Sequence, residues 1–151
     1  MWTYVVAAVV ITGLSIFLTP LRHFALIAPT MHEIDPQVFH AALIAHANDY
    51  LFVDVRSPTI YRSAHAKGAI NIPIENLFDE HYTLPRSGKK IALICTTGRL
   101  AAIAYGYLEN WGFQNLLHIE GGLQNWNNEG LPVEGINVFV AASSTIPDEH
   151  Q

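Results

Sequence analysis

Residues 91–102 read Ile91-Ala92-Leu93-Ile94-Cys95-Thr96-Thr97-Gly98-Arg99-Leu100-Ala101-Ala102. The first four side chains are apolar without alternation, which predicts a strand covered on both faces, as in a parallel sheet. A helix is predicted soon afterwards, over residues 100–111. The short loop between them begins with the only cysteine of the chain, Cys95. In open α/β sheets the carboxyl ends of the strands are where ligands bind. A loop that leads into a helix can turn its N–H groups inward and form an anion nest. Gly98 frees such a loop from steric limits, and Arg99 adds a permanent positive charge. These surroundings would favour a thiolate and would equally hold an anionic persulfide sulfur. Taken alone, though, a cysteine at a strand end fits a buried structural role just as well.

The flanking sequence repeats the same alternation of elements. Residues 50–55, Tyr50-Leu51-Phe52-Val53-Asp54-Val55, form a second apolar, β-rich run. Further strands are predicted at 115–119 and, shorter, at 70–72. Helices are predicted over 74–81 and 122–128, with Gly112 and Gly130 as stop signals. Ahead of them Asp35-Pro36 reads as an N-cap followed by proline in the first turn. The helix it starts is expected to present Val38, Leu43 and Ile44 as one apolar stripe. Buried strands alternating with helices give an α/β domain, a parallel sheet flanked by helices.

Hydrophobic residues make up 50% of the chain and charged ones 14%, against about a quarter in ordinary soluble domains. Much of the excess lies in residues 2–21, WTYVVAAVVITGLSIFLTPL, which carry no charge. As a helix they would rise about 30 Å, enough to span the hydrocarbon core. One N-terminal transmembrane helix is therefore expected, with Trp2 and Tyr4 suited to an interfacial belt. A cleavable signal peptide is disfavoured because no basic side chain precedes the apolar run. A buried core helix would be unusually long and apolar all round. The expected organisation is an anchor at 1–22, a linker at 23–32, the domain at 33–136 and a tail at 137–151. Arg22 follows the span and nothing basic precedes it, which places the domain on the cytoplasmic side of a single-pass membrane protein.

The formal net charge of -5 and the scattered lysines and arginines exclude nucleic acid as an expected partner. A single cysteine excludes an intramolecular disulfide and cysteine-rich zinc sites. The histidines are dispersed, so no metal is expected; no organic cofactor is expected either.

Several ordered motifs decide between the two readings of Cys95. Leu51-Phe52-Val53-Asp54-Val55-Arg56, then Tyr61, His65 and Gly68-Ala69-Ile70-Asn71-Ile72-Pro73, then Cys95-Thr96-Thr97-Gly98-Arg99, follow one another at set separations. Gly112-Phe113, Asn115, Gly121-Gly122-Leu123, Trp126 and Gly130-Leu131-Pro132-Val133 complete the series. The whole pattern resembles the rhodanese (sulfurtransferase) family over roughly residues 33–134. That resemblance implies a rhodanese fold and transfer of sulfane sulfur, carried as a persulfide on Cys95. The donor would be thiosulfate-like and the acceptor cyanide or a thiol. It also implies a substrate-binding loop made of Thr96, Thr97, Gly98, Arg99 and Leu100.

The sequence departs from the family pattern at Ile60, Ala64 and Ala66, where Glu, Gly and Ile are usual. At the end of the loop, Leu100 replaces a common Arg or Ser. Asp54, Arg56 and His65 read as structural ties rather than reacting groups, and Trp111 and Trp126 read as core. A phosphatase of the same fold would need arginine six residues after the cysteine to fork an oxyanion. Here that position is Ala101. The remaining alternative is a membrane-tethered binding or redox-sensing module without turnover.

Overall fold

The computed structural model describes residues 31–137. Within them a five-stranded, wholly parallel sheet is built from β1 (Glu33–Ile34), β2 (Tyr50–Asp54), β4 (Ile70–Asn71), β5 (Lys90–Ile94) and β6 (Leu116–Ile119). Their spatial order is β1-β6-β5-β2-β4. The two most apolar runs lie side by side at the centre, with Leu51 opposite Ile91 and Val53 opposite Leu93. Central strands are covered on both faces, which is why β5 shows no polar alternation.

The two-residue period of a strand divides its side chains between those faces. Ile91, Leu93 and Cys95 enter one core cluster with Val53, Val55, Ala101, Ala104 and Leu108. Ala92 and Ile94 enter the other, with Phe39, Phe52, Leu123 and Trp126. Helices α3 (Ile74–Glu80) and α4 (Arg99–Asn110) cover the first face, and α1 (Pro36–Ala45) and α5 (Gly122–Asn128) cover the second. The parity of β5 therefore delivers Cys95 to the side from which α4 departs. From β5 the chain crosses to β6 on one side, whereas from β2 it leads to β4 on the other. That reversal makes the carboxyl ends of β5 and β2 the switch point of the sheet.

Helix α1 starts as the sequence predicts, with Asp35 Oδ1 accepting from the Val38 amide at 3.0 Å and Pro36 in the first turn. Of the expected stripe only Leu43 packs inward. Phe39 is fully buried, whereas Val38 is 60% and Ile44 72% exposed. Residues six apart on a helix lie far round the axis from each other, while Phe39 and Leu43, four apart, share the inner face. Trp111 is a second correction: it caps the end of α4 and is 51% exposed. Trp126 is completely buried and donates its indole N–H to the Pro132 carbonyl at 2.9 Å.

Helix α2 (Pro58–Ser63) and a two-stranded antiparallel ribbon of β3 (His65–Ala66) and β7 (Val133–Glu134) were not anticipated. Both are too short to show a hydrophobic period. Asp54 and Arg56 do tie the end of β2 to its surroundings. Their buried side chains meet at 2.6 Å, and Arg56 Nη2 also donates to the Ala64 carbonyl at 2.8 Å. Asn71 spans the same corner, donating to the Asp54 and Arg56 carbonyls at 2.9 and 2.7 Å.

The expected anchor at 1–22, the linker up to residue 30 and the tail from 138 lie outside the described residues. Among the described residues no helix is long and apolar enough to cross a membrane.

The two tryptophans give a direct check on the packing. Trp126→Ala should cost about 3–5 kcal/mol in urea unfolding, as large core truncations do. Trp111→Ala should stay within about 1 kcal/mol. Equal costs would contradict the placement of the two rings.

Candidate active site

Cys95 follows the last residue of β5 and is 3% exposed. Its Sγ accepts a hydrogen bond from the Ala101 amide at 3.4 Å. The first amides of a helix have no partner within the helix. Helix α4 begins at Arg99 with Gly98 as its N-cap, and a glycine offers no side-chain acceptor. The sulfur stands in for that missing cap by taking the third amide of the helix, while Ala102 closes onto the Gly98 carbonyl at 2.9 Å.

The carbonyls of this loop are held from behind. Leu123 N–H, in the first turn of α5, donates to the Cys95 carbonyl at 2.8 Å, and Gln124 N–H to the Thr96 carbonyl at 2.9 Å. The Gly98 carbonyl receives, besides Ala102, the Nε2–H of buried His118 at 2.8 Å. No described peptide bond is cis, so each N–H points opposite to the carbonyl of its own plane. Holding the carbonyls of residues 95, 96 and 98 therefore aims the amides of Thr96, Thr97 and Arg99 away from α5 and β6. The amides of Thr96, Thr97, Gly98, Arg99 and Leu100 donate to no acceptor among the described residues. Such an array of amides can donate to an anion.

Two glycines make this approach possible. Gly98 has φ +86°, and a Cβ there would meet the His118 ring at 3.1 Å. Gly122 has φ +61°, and a Cβ there would collide with the Cys95 carbonyl oxygen and come within 2.7 Å of the Gly98 nitrogen. Only glycine takes this backbone without strain while letting α5 reach the loop.

The five loop residues named from sequence thus lie together, in unequal roles. Thr96, Thr97 and Arg99 are exposed, and Arg99 makes no ion pair with a described residue. Gly98 is buried as the hinge into α4, and Leu100 packs half-buried against the core cluster that includes Cys95. The sulfur-directed amide belongs to Ala101, one residue beyond the expected loop.

Sequence reasoning also missed His118 and the loop-facing role of Gly122. For His118 a signal existed: a polar residue inside the apolar strand Leu116-Leu117-His118-Ile119 must find a partner when buried. For Gly122 nothing local distinguishes a glycine beside a backbone from one in a turn.

The remaining motif residues take supporting places away from the sulfur. His65 Nδ1 donates to the Tyr61 carbonyl at 2.9 Å and its ring stacks on Tyr61 at 3.8 Å. Burial, followed by the charges of Asp54 and Glu134, pushes the Tyr61 phenol above its ordinary value, and its hydroxyl donates to the Ala69 carbonyl at 2.6 Å. Among the described residues no three His, Cys, Asp or Glu side chains converge as a metal would require.

Comparison with known proteins shows the family and the fold. Residues 36–129 match the family described as "Rhodanese-like domain". A probable molybdopterin-synthase adenylyltransferase of Porphyra purpurea is 29% identical over 65% of this chain and 26% of its own length. A tRNA uridine(34) hydroxylase of Hamiltonella defensa is 36% identical over 50% of this chain and 22% of its own. The chain thus spans only about a quarter of these longer relatives. Among solved structures, a rhodanese-like domain from Anabaena sp. superposes with TM-score 0.64 at 28% identity, over 79% of this chain and 86% of that one.

The packing of α5 on the loop can be tested with two glycines. Gly122→Ala should destabilise the fold by about 3 kcal/mol or more, through a strained φ and displaced backbone. Gly106→Ala lies mid-helix with open space around it, and should stabilise by about 0.5–1 kcal/mol. Urea titrations read both, and a neutral Gly122→Ala would refute the close approach.

Proposed function

The chain belongs to the rhodanese-like domain family, and from that premise we propose that it is a sulfurtransferase carrying sulfane sulfur as a persulfide on Cys95. The observation that carries this reading is a lone sulfur beside backbone amides that no described residue takes up. Sγ lies at the start of α4 under the Ala101 N–H, and the amides of residues 96–100 have no described acceptor.

In the reaction proposed, the Cys95 thiolate attacks the outer sulfur of a thiosulfate-like donor. A new S–S bond forms on Cys95 as the donor's own S–S bond breaks, and sulfite leaves with that electron pair. The acceptor, cyanide or a thiolate, then attacks the outer sulfur of the persulfide and restores the Cys95 thiolate. Electrons balance in both steps without an outside oxidant, and no general base is needed when the thiolate is the attacking form. Cys95 is the catalytic residue. Thr96, Thr97, Gly98, Arg99 and Leu100 form the substrate-binding loop, with their amides placed to hold the donor's sulfonate oxygens or the persulfide's terminal charge. Exposed Arg99 adds an attractive charge to an otherwise acidic chain.

The relatives' names span chemistry other than sulfur transfer, and the near-complete burial of Cys95 favours a second reading. In it the domain is a binding or redox-sensing module without turnover. Residues 2–21 support attachment of either module to a membrane, and Arg22 just after them supports the cytoplasmic side for the domain.

Mass spectrometry separates the two readings. Incubation with thiosulfate should add about 32 Da, one sulfur, to the wild type and nothing to Cys95→Ser. Cyanide should then remove the added mass with release of thiocyanate. No gain on the wild type, or the same gain on Cys95→Ser, would dispose of the sulfurtransferase. For the membrane arm, the full chain should resist alkaline carbonate extraction, whereas recovery in the soluble fraction would discard the anchor.

A further inference from the structure

His118 is a buried polar side chain that the proposed sulfur chemistry does not use. It lies opposite Leu93 in the β5–β6 ladder and opposite Glu33 in the β1–β6 ladder. Residues paired in a parallel ladder put their side chains on one face, so His118 shares the face of Leu93 and Cys95. Its Nε2 is 2.8 Å from the Gly98 carbonyl oxygen. A carbonyl can only accept, so Nε2 carries the proton. On the other side of the ring, Nδ1 lies 3.3 Å from Glu33 Oε1, at ion-pair separation but without hydrogen-bond geometry.

The loop has three carbonyls held from behind, and two of them receive backbone amides of α5. Gly98 is the exception: besides the Ala102 amide of α4 itself, its carbonyl is held by a side chain from β6 and by no amide of α5. Its peptide plane contains the Arg99 N–H, the first amide of α4, and its left-handed backbone sets the direction in which α4 starts. We infer that His118 is a positioning residue for Cys95. By gripping the Gly98 carbonyl it fixes the Arg99 amide and the start of α4, and through them the Ala101 amide on the sulfur. For its effect on rate this inference rests on the sulfurtransferase reading; for its effect on the loop it does not.

The test uses His118→Gln and His118→Met in the full chain. The two side chains have nearly the same length and flexibility, but only glutamine can donate to the carbonyl. The second-order rate of persulfide formation from thiosulfate should fall about thirtyfold in H118M, the scale of a misplaced reacting group. It should recover to within about threefold of the parent in H118Q, with both variants melting at similar temperatures. A rate within twofold of the parent in H118M, or equal losses in the two variants, would overturn the inference.

If the parent itself takes up no sulfur, the sulfurtransferase reading fails separately, and hydrogen exchange then decides for His118. Exchange at the Ala101 and Ala102 amides should quicken at least tenfold in H118M but not in H118Q, with Val53 unchanged. Identical exchange in all three proteins would refute the positioning role. A measurement on the parent alone needs no variant. The imidazole nitrogen shifts should report a protonated Nε2, and a bare Nε2 would end the proposal.

Discussion

A trans peptide unit cannot aim its carbonyl and its N–H independently, and the Cys95 loop is organised around that restriction. The first amides of α5 take the carbonyls of Cys95 and Thr96, and His118 takes that of Gly98. Each bond made behind the loop turns an amide forward. The positive end of α4 adds the Ala101 N–H, which reaches Sγ itself. Glycine at 98 and 122 is the steric condition for all of this, because a Cβ at 98 would meet the His118 ring and one at 122 would strike the loop backbone. The loop is shaped by its surroundings more than by its own side chains, and two of its exposed residues are plain threonines.

The rest of the domain supplies a rigid base for that arrangement. Parity along β5 alternates residues between the two core clusters and leaves Cys95 on the α4 side. At the neighbouring strand end the buried Asp54–Arg56 pair fixes the chain as it turns toward α2. A buried pair of this kind is costly to desolvate, and losing one partner strands the other charge. Here the guanidinium also satisfies the Ala64 carbonyl, so the corner is fastened by hydrogen bonds as well as charge. The pair sits beside the loop and leaves the sulfur to backbone donors.

What the sequence disclosed follows from the range over which each feature acts. The strand at 90–94, the helix start after Gly98 and the Asp35 cap depend on neighbours within a few residues, and they are legible. The inner side of α1 differs from the expected stripe because hydrophobicity alone does not say which side of a short, apolar helix faces inward. Phe39 wins that place by stacking edge-on against Phe52 at 4.8 Å and lying near Trp126, partners that sequence spacing does not reveal. Trp111 was misjudged for the same reason: it is large and apolar, but it falls where α4 ends. His118 and Gly122 act on a loop some twenty or more positions earlier, so their contribution becomes visible only once β6 and α5 are folded against it.

The departures from the family pattern can now be read physically. Ile60 is exposed on α2, so the glutamate usual there is replaced at a surface position. Ala66 is fully buried where the ribbon strand β3 meets Val133, so the smaller side chain stands at a core position. Leu100 is the one departure inside the loop, and it packs against the core rather than offering a donor. A loop that gives up a polar side chain at this point depends more heavily on its amides. Backbone donors keep their orientation only while the carbonyls behind them stay bound, so the amide array beside Cys95 is tied to the integrity of β6 and α5.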